Sequence, residues 1–539
     1  MTPTNEERND VNGSEMNGAQ ALIRTLVNAG VDVCFSNPGT SEMHFVAALD
    51  DVPEMRGVLA LFEGVATGAA DGYGRMADRP AATLLHLGPG LGNGLANLHN
   101  ARKAHTPIVN IVGDHATYHK RYDAQLESDI ETVARNVSSW IRWGTAPATV
   151  AQDAADAVRA AIGPPGQVAT LILPADVSWG DGAAPVTGGA AAGAARSVGA
   201  SVDADAVIEA AKALRSGEPA AIFVGGGACR EAALRDASRI ASATGAKVIA
   251  ETFPARLERG AGRVPVDRLA YLAEFATMQL DGLKHLVLVG AKSPVSFFAY
   301  PGKPSDLVPE GCTVHVLADE GADAAASLVA LAAEVDAPAD DGSRAQPAVR
   351  PDRPTGDLTA ETVCVALGAL MPEGAIVSDE GNTSGLFAAG ATAGAPPHDW
   401  LTLTGGAIGQ GLPLAVGAAV ACPDRRVIAL QADGSAMYTM QAWWTMAREG
   451  LDVTTILLNN ASYAILNMEL ARVGAGEGGP KAKAMLDLHG PELDFVKLAE
   501  GTGVSASRAT TAEEFTTQLE RSLGTPGPSV VEAVIPSIL

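Results

Sequence analysis

The chain has 539 residues, 47% of them hydrophobic, and a formal net charge of −24. This length exceeds what one hydrophobic core accommodates, so we expect several globular domains. The acidic balance argues against nucleic acid or a membrane surface as a partner, because both require basic patches. Five scattered cysteines without a CxxC pair predict neither a disulfide framework nor a zinc site. A reduced, cytoplasmic setting is therefore expected.

Two stretches bear on targeting. Residues 1–17 are polar and lack the apolar segment of a signal peptide, which predicts a disordered tail. The longest uncharged stretch, 401–422, contains Gln410, Pro413 and several glycines and threonines. Such a composition favours a buried loop and helix over a membrane span.

Two linkers are predicted from composition. Residues 180–200 are rich in Gly and Ala, and residues 337–357 are rich in Pro, Asp and Arg. They divide the chain into domains at 18–182, 200–337 and 357–539. Each block alternates short β-rich runs with helical patterns, so the predicted fold is α/β, with three doubly wound domains built on parallel sheets.

Three predicted strands of the first block end in polar residues. The strands cover 31–36, 58–62 and 82–85, and they lead into the turn 37–40, into Glu63 with a helix over 64–76, and into the loop 86–90. The carboxyl ends of parallel strands meet at the edge where α/β folds bind ligands. We therefore expect Glu63 and His86 at one edge. A helix-starting acid and a structural histidine are the plainer interpretations.

The second block contains a glycine-rich turn. A predicted strand over 220–224 is followed by Gly225, Gly226 and Gly227. Such a turn after a strand can hold a nucleotide, but the G-x-G-x-x-G spacing is missing. A purely structural turn is the favoured interpretation, with FAD or another nucleotide as the alternative.

The third block carries the most specific pattern. Predicted strands over 427–430 and 453–458 flank a sharp turn at 432–435 and a helix over 439–449. If the two strands are parallel neighbours, Asp433 and Asn460 end them side by side. A carboxylate and an amide oxygen suit Mg²⁺, and the turn amides suit an anion. The alternative is an ordinary βαβ unit with an Asn-rich loop.

An Asp-Gly-Ser turn followed 27 residues after Asp433 by the paired Asn460 resembles the thiamine diphosphate motif. With the order of its blocks, the chain resembles the thiamine diphosphate-dependent decarboxylase and acetolactate synthase superfamily from about residue 18 to residue 536. Benzoylformate decarboxylases and acetolactate synthase large subunit-like proteins have the most similar patterns. The resemblance implies a pyrimidine-binding, a middle and a diphosphate-binding domain in that order.

The resemblance also implies roles for the motif residues. Glu63 hydrogen-bonds N1′ of the aminopyrimidine and promotes loss of the thiazolium C2 proton. The Gly406 carbonyl accepts from the 4′-amino group, and Ile408 supports the bent cofactor, although core packing also explains an isoleucine there. The implied Mg²⁺ ligands are Asp433, Asn460 and the backbone carbonyl of Ser462. The other implied cofactor-binding residues are Asn382, Thr383, Gly434, Ser435 and Tyr463.

On the substrate side, Thr40 matches the position of a serine that contacts the substrate carboxylate in benzoylformate decarboxylases. His86 matches their first active-site histidine. Their second histidine has no counterpart in residues 293–301, where Phe297 or Phe298 is expected to fill the space. The acid that pyruvate decarboxylases carry six residues after the metal-binding Asn is Leu466 here. Incomplete protonation machinery favours carboligation over fast aldehyde release.

The expected function is therefore the non-oxidative decarboxylation of a 2-oxo acid, with carboligation as an added outcome. The alternatives are an acetolactate synthase-like carboligase, a flavin-dependent oxidase and a non-catalytic paralogue. The family places its cofactor between subunits, which implies a homodimer as the smallest active unit and favours a homotetramer. Glu63 of one chain would then face Asp433 and Asn460 of another. Glu469 is a proton donor, a gate or a solvated helix residue.

Overall fold

The computed structural model describes residues 16–187, 202–340, 342–476 and 478–537. Most of the predicted tail lies outside these residues, but its last two do not. Met16 forms a β-bridge with Ala183, and the Asn17 side chain caps the first helix by accepting a hydrogen bond from Gln20 N (2.9 Å). The beginning of the predicted 180–200 linker is therefore tied to the N-terminal part of the chain, whereas residues 188–201 lie outside the description.

The first sheet has six parallel strands in the order β2-β1-β3-β4-β6-β5. Its strands are β1 (Val33–Ser36), β2 (Arg56–Leu59), β3 (Ala81–Leu85), β4 (Ile108–Asp114), β5 (Trp140–Trp143) and β6 (Val168–Pro174). The helices of this part are α1 (Gly18–Asn28), α2 (Met43–Ala48), α3 (Glu63–Ala77), α4 (Leu87–Lys103), α5 (Ile130–Ala134), α6 (Pro147–Ile162) and α7 (Ala175–Trp179).

The second sheet has five parallel strands in the order β10-β8-β7-β11-β12. The strands between residues 220 and 318 are β7 (Ala220–Val224), β8 (Lys247–Ala250), β9 (Leu257–Arg259), β10 (Asp267–Arg268), β11 (His285–Val289) and β12 (Thr313–Ala318), of which β9 joins another sheet. The helices are α8 (Ala204–Leu214), α9 (Glu231–Thr244), α10 (Ala273–Leu280) and α11 (Ala324–Glu334).

The third sheet has seven strands in the order β17-β18-β16-β15-β13-β14-β9. Its remaining strands are β13 (Ile376–Glu380), β14 (His398–Leu401), β15 (Val427–Ala432), β16 (Val453–Asn459), β17 (Ser505–Ala509) and β18 (Ser529–Val534). The helices are α12 (Ala360–Leu370), α13 (Ala388–Ala391), α14 (Gly411–Ala421), α15 (Asp433–Thr439), α16 (Gln441–Glu449), α17 (Ala464–Arg472), α18 (Pro480–Ala484), α19 (Phe495–Gly501) and α20 (Ala512–Gly524).

Three parallel-sheet α/β units confirm the predicted fold class. One edge departs from the parallel pattern, because β9 pairs antiparallel with β14. Strand β9 lies within 200–337, the stretch assigned to the middle domain, yet it completes the third sheet. Strand β9 has only three residues, which are too few for the sequence pattern to predict that it pairs with the third sheet.

Helices α3 and α14 join the first and third units. The two backbones touch, since a Cβ placed on Gly72 would lie 2.0 Å from Leu414 O and one on Gly417 would lie 1.8 Å from Ala69 O. One hydrophobic cluster runs through both units, which makes them a single packed body. Glycine is required at both contacts because any side chain would separate the helices.

A buried polar network fixes the same junction. The Arg75–Asp71 ion pair (2.6 Å) is almost completely removed from solvent. Gln410 Nε2 donates to Asp71 (2.8 Å), and Arg75 donates to the Thr402 carbonyl (2.8 Å). A buried ion pair is stable only where such partners satisfy the remaining donors and acceptors. The network therefore sets the register of the first unit against the loop that precedes α14.

Three local predictions were wrong. The strand predicted over 58–62 ends at Leu59. Residues 433–435 of the predicted turn at 432–435 begin α15, and residues 87–90 of the predicted loop at 86–90 begin α4. The 401–422 stretch is a loop followed by the buried helix α14, as predicted. Across the described ranges, none of the helices combines the length and apolarity that a membrane crossing requires.

Candidate functional site

The first part of the site lies at the carboxyl edge of the first sheet. Strands β2, β1 and β3 are parallel neighbours, and the chain leaves them toward Glu63, Thr40 and His86 respectively. Thr40 is exposed at the start of a short 3-10 turn, Thr40–Glu42. The structure therefore brings the three residues predicted from sequence to one sheet edge.

A buried carboxylate holds His86 at this edge. Glu42 Oε2 lies 2.8 Å from His86 Nδ1 and accepts a second hydrogen bond from Gly39 N (2.8 Å). The hydroxyl of Ser41 donates to the other carboxylate oxygen. Because a carboxylate only accepts, Nδ1 carries the hydrogen and Nε2 is left for proton transfer. Glu42 was missed from sequence.

Glu63 begins α3, where the helix dipole favours its negative charge. Its side chain is buried, and Oε2 accepts a hydrogen bond from Asn93 Nδ2 (3.0 Å). Gly90 separates Glu63 from His86: a Cβ at this position would lie 3.1 Å from Glu63 Oε1 and 3.3 Å from His86 Cβ. The acid and the imidazole thus flank one glycine of α4.

The second part of the site lies at the carboxyl edge of the third sheet. Strands β13, β15 and β16 are neighbours, so Asn382, Asp433 and Asn460 follow adjacent strand ends. The Asp433 carboxylate accepts three backbone hydrogen bonds, from Gly434 N (2.7 Å), Asn460 N (3.0 Å) and Ala461 N (2.7 Å). Burial raises the pKa of Asp433, and these three bonds oppose the rise.

The Asn460 amide points back toward the same turn. Its Oδ1 accepts from Ser462 N (3.0 Å), and its Nδ2 makes a long contact of 3.4 Å with Ser384 Oγ. Ser462 is anchored in turn by Asn467, whose Nδ2 donates to Ser462 Oγ (3.1 Å). These bonds hold the loop after β16 in one conformation and set the three residues predicted to bind Mg²⁺ beside one another.

Backbone strain marks three of the strand ends. Leu87, Asn382 and Ala461 have φ values of 48°, 47° and 50°, in the left-handed region that favours glycine. Each follows a strand end within a few residues, next to His86, Thr383 or Asn460. A non-glycine residue in this region costs about 1 kcal/mol or more, and such strain concentrates at functional sites.

Three further predicted residues follow the ends of β13 and β15. Gly434 lies under Tyr463, since a Cβ there would be 2.5 Å from the tyrosine ring. Ser435 is buried and accepts a hydrogen bond from Gln431 Nε2 (2.8 Å). Thr383 is buried at the end of β13. The amides of the first turn of α15 lie beside the Asp433 carboxylate, an arrangement suited to a metal-bound anion.

The loop between β14 and α14 is fixed by Glu380. This buried carboxylate accepts from Gly409 N (2.6 Å), Gln410 N (3.3 Å) and Gly411 N (2.7 Å) and from Gln431 Nε2 (2.9 Å). Burial raises its pKa, and these donors oppose the rise. Glu380 therefore acts as an internal cap for α14 and positions the preceding Ile408.

Ile408 is only partly buried and does not belong to the hydrophobic clusters of the described chain. Core packing thus does not account for this isoleucine, which presents apolar surface at the site. Neighbouring Gly406 has a φ of 72° and lies against Phe297, because a Cβ there would be 2.5 Å from Cζ of the ring. Of the two phenylalanines considered from sequence, Phe297 is the one that packs against this loop.

An aromatic cluster forms the wall on this side. Phe297 lies 4.9 Å from Phe298, 5.2 Å from Tyr271 and 5.8 Å from Phe253, measured between ring centroids. No histidine occupies 293–301, as the sequence shows. Glu469 on α17 pairs with Arg472 (2.7 Å), which also contacts Tyr300, so this acid is bound at the wall and is not a free helix residue.

These residues fit thiamine diphosphate and Mg²⁺. Within the described parts of the chain, His, Cys, Asp and Glu side chains nowhere gather in groups of three that could hold a metal by themselves. A hard cation at Asp433 and Asn460 therefore needs oxygens from a backbone carbonyl and from the ligand, as a bridging diphosphate provides. The amides of the first turn of α15 would face such an anion, although Gly434 N already donates to the Asp433 carboxylate.

The glycine-rich turn of the middle unit is closed by the chain itself. Gly226 N donates to Glu251 Oε1 (3.0 Å), and Glu251 directly follows β8. Burial, with repulsion from Glu320, raises the pKa of Glu251 to about 7. The Glu251 carboxylate thus already accepts the Gly226 N–H that would otherwise face a nucleotide phosphate. A second acid, Glu320, lies nearby.

Comparison with known proteins assigns both ends of the chain to one family. Residues 16–134 match "Thiamine pyrophosphate enzyme, N-terminal TPP binding domain", and residues 379–533 match "Thiamine pyrophosphate enzyme, C-terminal TPP binding domain". The chain is 62% identical over 525 residues to a Mycobacterium tuberculosis protein named "Putative acetolactate synthase large subunit IlvX", covering 97% of this chain and 100% of that protein.

Two further relatives are decarboxylases. Benzoylformate decarboxylase of Pseudomonas aeruginosa is 31% identical over 540 residues, with 95% of this chain and 97% of that protein covered. The structure of the thiamine diphosphate-dependent 4-hydroxybenzoylformate decarboxylase of Rhodococcus jostii RHA1 superimposes with a TM-score of 0.82 at 26% identity, covering 97% and 99% of the two chains.

Proposed function

The chain belongs to the thiamine pyrophosphate enzyme family, and from that premise we propose that it catalyses the Mg²⁺-dependent, non-oxidative decarboxylation of a 2-oxo acid. The observation that carries the proposal is the His86–Glu42 pair next to Glu63 at the edge of the first sheet. An oriented imidazole beside the cofactor-activating acid is what protonation of the reacting carbon requires.

Thiamine diphosphate, when bound, supplies the nucleophilic carbon and accepts the electron pair released with carbon dioxide. Asp433, Asn460 and the Ser462 carbonyl would hold Mg²⁺, with Gly434, Ser435, Asn382, Thr383 and Tyr463 around the diphosphate. Ile408 and the Gly406 carbonyl would support the aminopyrimidine. Glu63, which is buried away from bulk water, would exchange a proton with the ring nitrogen.

His86 performs the later proton transfer in this proposal. Glu42 fixes the ring so that Nε2 can give a proton to the reacting carbon after carbon dioxide leaves. Thr40 is exposed at the same edge, where its hydroxyl would meet the substrate carboxylate. Removing Glu63, His86 or Glu42 should therefore affect turnover more than cofactor affinity.

A second candidate is carboligation of the acetolactate synthase type. The observation that favours it is the wall of Phe297, which packs against Gly406 where a second protonating histidine would act. An apolar wall slows protonation and leaves the reacting carbon available to a second carbonyl. The 62% identical relative bears an acetolactate synthase name, which also supports this candidate.

Oxidation through a flavin is disfavoured by Glu251. Its carboxylate already accepts from Gly226 N, and an anionic flavin nucleotide would have to displace it. A colourless purified protein is the expected result.

We also propose a shared site between two copies of the chain. No hydrogen bond or ion pair among the described residues joins Glu63 to Asp433 or Asn460. Apolar side chains near both parts are exposed in the single chain, including Leu61, Phe387 and Tyr438. Such surface is typical of an interface. A homodimer is the smallest active unit in this proposal, and a homotetramer is expected.

Product analysis tests the proposed reaction. The holoenzyme, reconstituted with thiamine diphosphate and Mg²⁺, is given benzoylformate alone, pyruvate alone, or both. Aldehyde as the main product supports decarboxylation, and acetolactate from pyruvate as the main product supports the second candidate instead. Absence of carbon dioxide release from either acid, and from a wider series of 2-oxo acids, would contradict both.

A further inference from the structure

A cavity of about 220 Å³ lies where β9 and β10 meet the third unit. It is lined by Arg259 of β9, Arg268 and Asp267 of β10, Gln346 and Trp400. The proposed thiamine site is built from other residues, so this cavity is separate from it. Its volume exceeds the 150 Å³ or so of a benzene-binding cavity, which is enough for a small organic ion.

Arg259 enters this cavity without a carboxylate partner. Its guanidinium donates to Thr392 Oγ1 (3.2 Å) and to the Ala389 carbonyl, and its Cζ lies 5.1 Å from the centre of the Trp400 ring. Since a guanidinium has five N–H donors, three have no protein acceptor in the described structure. Trp400 is itself held beside this guanidinium by a hydrogen bond to Asp379 (2.9 Å).

A second arginine faces the same space. Arg268 forms neither an ion pair nor a side-chain hydrogen bond with the described residues. Burial and repulsion from Arg268 lower the pKa of Arg259 to about 10, and attraction to Asp379 only partly opposes this. One acid, Asp267, also lines the cavity, which leaves a net positive charge. Proteins rarely place two cations together without a compensating anion.

Other arginines of this region show what ordinary pairing looks like. Arg230 pairs with Asp78 (2.7 Å), Arg256 with Asp399 (2.6 Å) and Arg263 with Glu231 (3.3 Å). The two arginines of the cavity are thus exceptions among neighbours that pair with carboxylates in the described structure. Their free donors converge on a space large enough for a ligand.

We propose that this cavity binds a small anion, a carboxylate or a phosphate, held by Arg259 and Arg268. A planar guanidinium binds the paired oxygens of either group through two parallel N–H bonds. The Gln346 amide and the flat Trp400 ring offer one further polar and one apolar contact. The volume of the cavity suits a short organic acid or inorganic phosphate.

Binding would connect the second and third units. Arg268 belongs to the second sheet, whereas Arg259 and Trp400 lie on strands of the third. An anion between them replaces their mutual repulsion with attraction, and it stabilises the folded chain by an amount that grows with the logarithm of the anion concentration above the dissociation constant. The proposal does not depend on the reaction catalysed.

Isothermal titration calorimetry of the holoenzyme with sodium phosphate and, separately, sodium malonate tests the proposal. Sodium chloride at matched ionic strength is the reference, because it reports screening alone. The test variant is Arg268→Gln, which removes a charge that forms no ion pair with the described residues, so no internal ion pair is lost with it. Arg259→Gln is the second variant. Arg448→Gln is the matched control. Like Arg259, Arg448 lies over the ring of a tryptophan, Trp444 (5.3 Å), but it is exposed and does not line the cavity.

Wild-type protein should bind at least one of the two anions saturably, and the anion that binds identifies the source as phosphate or carboxylate. Arg268→Gln should weaken that binding by about tenfold or more, since a bond to a charged group is lost. Arg448→Gln should bind as the wild type does. Absence of saturable binding of both anions, or unchanged binding by Arg268→Gln and Arg259→Gln, would overturn the proposal.

Discussion

Replacing Glu42 with glutamine removes one charge beneath His86 and leaves the size of the side chain nearly unchanged. The carboxylate serves three partners: His86 Nδ1 and Gly39 N, each at 2.8 Å, and the Ser41 hydroxyl. Glutamine has one acceptor oxygen, and its NH₂ group would face a donor. At least one partner is therefore lost.

The expected magnitude follows from those contacts. A buried hydrogen bond to a charged group contributes about 1.5–3 kcal/mol, so we expect the free energy of unfolding to fall by about 2 kcal/mol. A domain stable by about 5–15 kcal/mol still folds after this loss. An imidazole in the wrong tautomer cannot deliver its proton, and kcat should fall about a hundredfold with little change in KM.

The assay measures kcat and KM with the best 2-oxo acid substrate, alongside urea unfolding of the same preparations. Ser41→Ala is the control, because it removes one hydrogen bond to Glu42 and leaves the charge in place. It should keep kcat within about threefold of the wild type. A Glu42→Gln enzyme with wild-type kcat, or a Ser41→Ala enzyme equally impaired, would refute the positioning role of the carboxylate.

Three other predictions concern the cofactor, the product and pH. Asn460→Ala should lose most Mg²⁺-dependent affinity for thiamine diphosphate in calorimetry. It is a cleaner test than Asp433→Ala, which would also leave three backbone N–H donors without their acceptor. Undiminished affinity would remove Asn460 from the metal site. Phe297→His should raise the ratio of aldehyde to carboligation product. Phe298→His, one residue away from the Gly406 contact, should not. Equal effects of the two variants would contradict the proposal that Phe297 limits protonation. The folded-state pKa of Glu251 is raised from 4.5 to about 7, so the folded chain binds more protons than the unfolded chain between these pH values. Its free energy of unfolding therefore falls as the pH rises from about 4.5 to about 7. Glu251→Gln should reduce this pH dependence in urea unfolding at pH 5 and 7.5, and an unaltered dependence would contradict the assignment.

Sequence reasoning identified polar residues that follow strands. Asp433, Asn460 and Glu63 follow apolar runs that are easily recognised as strands. When such strands pair in parallel, their carboxyl ends lie at a shared edge of the sheet. It misjudged what comes next, since the residues after Ala432 and after His86 enter helices at once. Glycine and proline normally mark turns, and in His86–Gly90 they lie inside the first turn of α4, where Pro lacks only an amide that would be unpaired anyway.

The supporting residues could not be read in the same way. Glu42 and Glu380 are buried acids whose partners lie up to 51 residues away in sequence, and such contacts appear only when the chain is folded. The sequence offered one indication of the role of Glu42, its position three residues after Gly39. At this spacing a carboxylate can accept a hydrogen bond from the backbone N–H at the start of the turn. The exchange of β9 into the third sheet likewise depends on tertiary packing.

In the proposed dimer, Glu63 of one chain and Asn460 of the other complete each active site. Subunit mixing tests it directly: inactive Glu63→Gln and inactive Asn460→Ala chains are dissociated, mixed in equal amounts, reassociated with thiamine diphosphate and Mg²⁺, and assayed for decarboxylation. In a mixed dimer one site carries both substitutions and the other carries neither. Random pairing makes about half the dimers mixed, so about a quarter of wild-type activity should return. Activity no higher than that of the separate variants, with mixed dimers verified by mass, would contradict the shared site.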